Sequence, residues 1–196
     1  MRKRFWIVFV GVIVMGLVLF GHYWTSTQPI LVQTDPIAEN RLLRDVPPKN
    51  KEIITFIEKN GARLAPTYQE AVCTEFVIKV VNEFGPLSSD EKKGIRIITS
   101  APLDSLVDHE APIIKGIQSA LIQSDKGIEI SPWQVMPGDF VQFWNGYGIG
   151  VYGHCGVVTE IVPNESLTLY SSHPFTNGFG KQEFPWPDKV YFVRLK

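Results

Sequence analysis

The feature that most limits how this chain can fold is a change of hydrophobic period near Trp133. Ahead of it, apolar residues recur at helical spacing. In "NKEIITFIEKNG", Ile53, Ile54 and Ile57 mark one face, Asn50 stands where a cap belongs, and Gly61 stands where the helix can end. In "TYQEAVCTEFVIKVVNEFG", Phe76, Val77, Val80, Val81 and Phe84 mark another face. That helix should begin near residues 69–72 and stop at Gly85-Pro86. A third helix is expected over 111–123, ending by Gly127, within an otherwise irregular excursion from 86 to 131.

Beyond Trp133 the chain reads as strands. "MPGDFVQFW" is a Pro-Gly turn leading into an apolar run, and "GHCGVVTEIV" and "SLTLYSSH" are β-rich segments separated by "PNES". "KVYFVRL" closes the chain as another strand, while residues 143–153 and 173–187 read as a long hairpin loop and a surface loop. Helices followed by antiparallel strands predict an α+β fold.

The N-terminus sets the expected compartment. Arg2, Lys3 and Arg4 precede an apolar run over 5–24, long enough to span a bilayer's hydrocarbon core. Residues 1–4 should then stay cytoplasmic and the rest of the chain cross the membrane. The competing reading is a cleaved signal peptide, but the run is long for one and no small-x-small site follows it. Residues 25–48 read as a linker, leaving 49–196 as the folded domain. A net charge of −1 offers no basic surplus for nucleic acid.

Two cysteines in an extracytoplasmic domain need explaining. Cys73 and Cys155 could be core thiols or a disulfide. A metal site lacks ligand spacing, with no CxxC and no HExxH. The remaining reading makes Cys73 a nucleophile, because a helix N-terminus favours thiolate. Such a thiol needs an imidazole, and that imidazole needs a polar partner. His154 and His173 both lie on expected strands. A four- or two-residue loop between those strands puts residues 154, 156, 171 and 173 on one face; a three-residue loop breaks that relation. The same alternation turns Cys155 away from His154, so a Cys73–Cys155 disulfide and a Cys73–His154 pair are expected to exclude each other. Gly153 and Gly156, flanking His154-Cys155, should leave room for a substrate backbone or the thiol helix.

Three short blocks, "VCTEFV", "MPGDFVQFW" and "GHCGVVTEI", resemble in order and spacing the bacterial cell-wall cysteine peptidases and amidases of the NlpC and CHAP types, which have a papain-like fold. The resemblance covers roughly residues 50–196, with 86–131 as an insertion that would be a lid, a specificity wall or, equally, packing. It implies Cys73 as nucleophile, His154 as general base, and His173, or less well Ser171, as the residue orienting His154. Tyr68 is similar to a tyrosine lining such sites and would help form the oxyanion hole beside the Cys73 backbone N–H. The Thr74-Glu75 pair after the thiol departs from the Ser-Gly common in NlpC-type members and leans towards CHAP-like ones. The implied activity is hydrolysis of peptide or amide bonds in peptidoglycan, without metal or organic cofactor, by an enzyme held at the bacterial membrane; no protein partner is implied. The alternatives are a catalytically silent wall- or protein-binding module, an acyl-transferring relative, and a structural domain held by a disulfide. Known permuted acyl-transferring relatives place histidine before cysteine, the reverse of the order here.

Overall fold

A computed structural model describes residues 46–147 and 150–196. The expected cytoplasmic end, the 5–24 run and the linker up to residue 45 lie outside the described residues. Among the described residues no helix is long and apolar enough to cross a membrane.

Five helices precede or flank the sheet: α1 (Pro48–Leu64), α2 (Cys73–Phe84), α3 (Ser89–Arg96), α4 (Leu103–Asp108) and α5 (Ile117–Gln123). Six strands follow: β1 (Gly127–Ile130), β2 (Phe140–Tyr147), β3 (Gly150–Val162), β4 (Ser166–His173), β5 (Gly178–Pro185) and β6 (Lys189–Leu195). They form one antiparallel sheet in the order β1-β6-β2-β3-β4-β5. The protein is therefore an α+β protein, with helices packed on a six-stranded sheet.

Alternation along the strands divides the core in two. Phe140, Cys155, Val157 and Val193 join α1 and α2 in one cluster. Their neighbours Val141, Val158 and Phe192 join a second cluster, which contains no helical residue. Strands and loops alone bury that second face. Helix α2 supplies Phe76, Val77, Val80 and Val81, all fully buried, and these four contribute roughly 6–12 kcal/mol as an upper bound.

Several details depart from expectation. Asn50 does not cap α1. The helix starts at Pro48, and the fully buried Asn50 amide donates to Asp139 Oδ1 (2.7 Å) and to the Pro137 carbonyl (3.0 Å). Gly61 does not end it either; it lies inside α1, where a Cβ would stand 2.4 Å from the Phe179 ring. The expected surface loop 173–187 contains β5, and the expected loop 143–153 is mostly β2 and β3, laddered out to Tyr147–Gly150. The 86–131 excursion is largely packing: α3 carries a Ser88–Glu91 capping box, α5 buries Ile117 and Leu121, and β1 pairs with β6.

Candidate active site

The "PGD" turn organises the start of β2. Asp139 is fully buried and takes Arg194 through two contacts, Nε to Oδ1 at 2.8 Å and Nη2 to Oδ2 at 2.7 Å, besides Asn50 and the Met136 N–H. Gly138, at φ +91°, has room for no side chain, since a Cβ would meet the Asn50 carbonyl at 2.5 Å. This carboxylate ties α1 and β6 to the strand that pairs with the His154 strand.

Cys73 is the first residue of α2, with extended Val72 ahead of it. Its sulfur therefore sits at the positive end of the helix, where the first N–H groups lack intrahelical partners. The helix start is pinned to β4, because Ser172 Oγ donates to the Ala71 carbonyl.

The β3–β4 ladder ends before it reaches Cys155 and His154. The hairpin β3–β4 turns through three residues, Pro163, Asn164 (φ +66°) and Glu165, pairing Val162 with Ser166. Such a loop alone would put His154 and His173 on opposite faces. A bulge at Thr159 adds one residue, so the register passes from Glu160–Thr168 to Val158–Leu169 and the parity is restored. Rungs cease after Val157–Tyr170, while β4 stays paired with β5 as far as His173–Gly178. Beyond the last rung, Ser171 Oγ donates to the Cys155 carbonyl at 2.7 Å, so a side chain keeps the two strands in contact where the ladder has ended.

Four groups meet at that sulfur. The Cys155 thiol donates a hydrogen bond to it, which is the main reason the Cys73 thiol is held well below its ordinary range. Burial opposes the shift, and the charge and hydrogen bond of His154, with the Cys155 N–H, add to it. Cys155 is pushed the other way, well above its range, by donating to Cys73, by burial and by the neighbouring negative charge. Tyr68 lies close enough for its hydroxyl to be raised by burial first and then by the two cysteines, so it remains a protonated donor. The two thiols are free, not bridged. Contrary to the strand alternation argument, both Cys155 and His154 bear on the Cys73 thiol.

His154 is held by rings. Phe143 (5.7 Å), Phe184 (5.3 Å), Tyr152 (6.1 Å, stacked) and His173 (5.1 Å, edge-on) surround it, and its Nε2 is buried without a hydrogen-bond partner. His173 is beside it, yet both of its nitrogens are engaged elsewhere. Nδ1 accepts from the Phe175 N–H (3.1 Å) and stands 3.3 Å from Gln182 Nε2. With Nδ1 an acceptor, the proton of the neutral ring is on Nε2, which meets the Tyr152 hydroxyl at 2.9 Å. Burial, then repulsion from His154, lowers His173 from 6.5 to about 4 against an opposing pull from Cys73, so it is neutral at pH 7. His173 therefore meets His154 by an edge-on ring contact and not by the hydrogen bond expected of an orienting residue. Ser171 serves the Cys155 carbonyl.

The space that Gly153 and Gly156 spare is taken up by neighbouring residues. A Cβ on Gly153 would strike the Trp144 ring at 2.5 Å, and one on Gly156 would strike the Tyr170 carbonyl at 2.7 Å. Glu75, in the first turn of α2, opposes a thiolate, but Arg96 from α3 clamps it through Nε (2.5 Å) and Nη2 (3.0 Å). A separate hollow of about 410 Å3 opens between α3 and α5, lined in part by Glu91, Gly94, Ser119 and Gln123, and shares no residue with this site. Among the described residues no group of three or more His, Cys, Asp or Glu side chains is placed to hold a metal ion.

Sequence reasoning brought Cys73, His154, His173, Tyr68 and Ser171 to one place, and the structure places them there. It did not anticipate the part played by Cys155, nor those of Tyr152, Ser172 and Gln182, whose involvement depends on where the β3–β4 ladder ends and on β5. Fold and site together define an α+β domain with a thiol–imidazole pair at a helix N-terminus. No protein-family model matches the chain, and no curated protein or solved structure matches it either.

Proposed function

We propose that this is a papain-like cysteine hydrolase of the cell-wall type, acting on peptide or amide bonds of peptidoglycan and held at the extracytoplasmic face of the bacterial membrane by its 5–24 run. The observation that carries the chemical part of this reading is the place of Cys73 at the first position of α2, where Cys155 and then His154 hold its thiol well below the ordinary range. The substrate and compartment rest on the sequence resemblance and on the apolar N-terminus.

In this reading the Cys73 thiolate attacks the scissile carbonyl, and its electrons pass to the carbonyl oxygen. That oxygen is stabilised by the unpaired Cys73 backbone N–H and the Tyr68 hydroxyl. His154, carrying the thiol's proton, delivers it to the leaving amine as the tetrahedral intermediate collapses to a thioester. A water then attacks the thioester, giving its proton to His154, and Cys73 departs as thiolate. His173 stays neutral and keeps the His154 ring in place.

The test combines labelling with turnover. Iodoacetamide should alkylate Cys73 rapidly at pH 6, and His154→Ala should move that reactivity to higher pH. Purified peptidoglycan fragments should be cleaved by the wild type and not by Cys73→Ser. Rapid labelling without cleavage would leave a thiolate site but reject the wall-hydrolase assignment. Slow labelling at pH 6 in the reduced wild type would reject the nucleophile itself.

A further inference from the structure

We propose that Cys155 is a resolving thiol: under oxidation it closes on Cys73 to form an internal disulfide that switches the site off, and reduction switches it on again. The inference rests on the reading of Cys73 as the nucleophile and adds a regulatory step to it.

Cys73 begins α2 and packs against the core cluster that contains Cys155, which lies on β3 just beyond the last β3–β4 rung. Each thiol is the first influence on the other. The two side chains share one core cluster, and they are the chain's only cysteines. Ser172 holds the helix start and Ser171 the Cys155 carbonyl, so both thiols are carried by anchored backbone. Cys155 is 1% exposed whereas Cys73 is partly exposed, so an external oxidant meets Cys73 first.

The chemistry is thiol–disulfide exchange with a small-molecule disulfide. The Cys73 thiolate attacks one sulfur of the oxidant, forming a mixed disulfide and expelling the other half as a thiolate. Cys73 is then no longer an anion, so the hydrogen bond and negative charge that hold the Cys155 proton disappear together. The Cys155 sulfur attacks the Cys73 sulfur, and its proton goes to the departing second thiolate. The protein pair loses two electrons, which the external disulfide gains. The bond consumes the thiolate that His154 serves, so the oxidised site has no nucleophile.

The experiment uses the full chain in detergent, reduced, then treated with oxidised glutathione at pH 7 and mapped by peptide mass spectrometry. A parallel reduced sample is alkylated at pH 6. The expected result is a Cys73–Cys155 disulfide within one chain, loss of Cys73 labelling, and its full return with dithiothreitol. Cys155→Ser, or Cys155→Ala should the first fold poorly, should stop at a glutathione adduct on Cys73. A stable adduct on Cys73 in the wild type, or a disulfide between two chains, would overturn the inference while leaving the nucleophile intact. Absent labelling in the reduced control would instead remove the nucleophile reading on which the inference stands.

Discussion

His173 offers a measurable link between burial and pH. Its folded value of about 4 lies below the ordinary 6.5, so between those values the unfolded chain binds a proton that the folded chain does not. The stabilisation is fully present above pH 6.5 and is lost as pH falls through the window towards 4. The whole gap is worth about 3 kcal/mol at 1.36 kcal/mol per pH unit, and about 2.5 kcal/mol of it should be lost between pH 7.5 and 4.5. His173→Asn isolates the effect. Its side-chain oxygen can still accept the Phe175 N–H at the start of the short 3-10 turn 174–176, but it cannot titrate. The variant should lose roughly 1–3 kcal/mol at every pH from missing ring contacts and the Tyr152 bond. Urea unfolding at the two pH values should show the wild type losing about 2.5 kcal/mol more than the variant, a relative midpoint change of roughly 1–2 M. Charges common to both proteins, those of His154 and Cys73 included, cancel in this difference to first order. Parallel loss in the two proteins would refute the claim that His173 is buried neutral.

Gly61→Ala should destabilise the domain despite placing a better helix former in mid-helix. The usual gain of about 1 kcal/mol is offset by a Cβ driven into Phe179, which is wedged between Phe76 and Tyr170, at a cost of about 1–3 kcal/mol. A raised thermal midpoint would show that Phe179 moves freely. Arg96→Ala leaves the Glu75 charge unanswered at the start of α2, so the midpoint of Cys73 alkylation should rise by roughly 0.2–0.7 pH units. An unchanged midpoint would mean that Glu75 lies outside the reach of the thiolate.

Much of this architecture is legible in the sequence, because local patterns determined it. The stripe Phe76, Val77, Val80, Val81 identifies α2, and the polar approach before Cys73 places the thiol at its start. The failures come from contacts between distant residues. Asn50 looks like a cap because asparagine caps helices well, but Asp139 draws it into the core. Gly61 looks like a stop because nothing local reveals the Phe179 ring above it. β5 is hidden by a correct turn signal: Asn177 (φ +47°) and Gly178 (φ +127°) do form a turn, and the strand begins within it. The His154–His173 juxtaposition was reached from the wrong loop length, because an unforeseen three-residue turn is compensated by an unforeseen bulge at Thr159.

The end of the β3–β4 ladder, not that compensation, is where the structure departs from the expected exclusion of a disulfide by the imidazole. In a continuous ladder, residues 154 and 155 serve opposite faces, and a helix on one face reaches only one of them. Here the rungs stop before them, and a hydroxyl takes over at the Cys155 carbonyl where a strand would otherwise bond. Both side chains bear on the Cys73 thiol, Cys155 first and His154 after it, although the rungs to β2 continue at both residues on the other edge of β3.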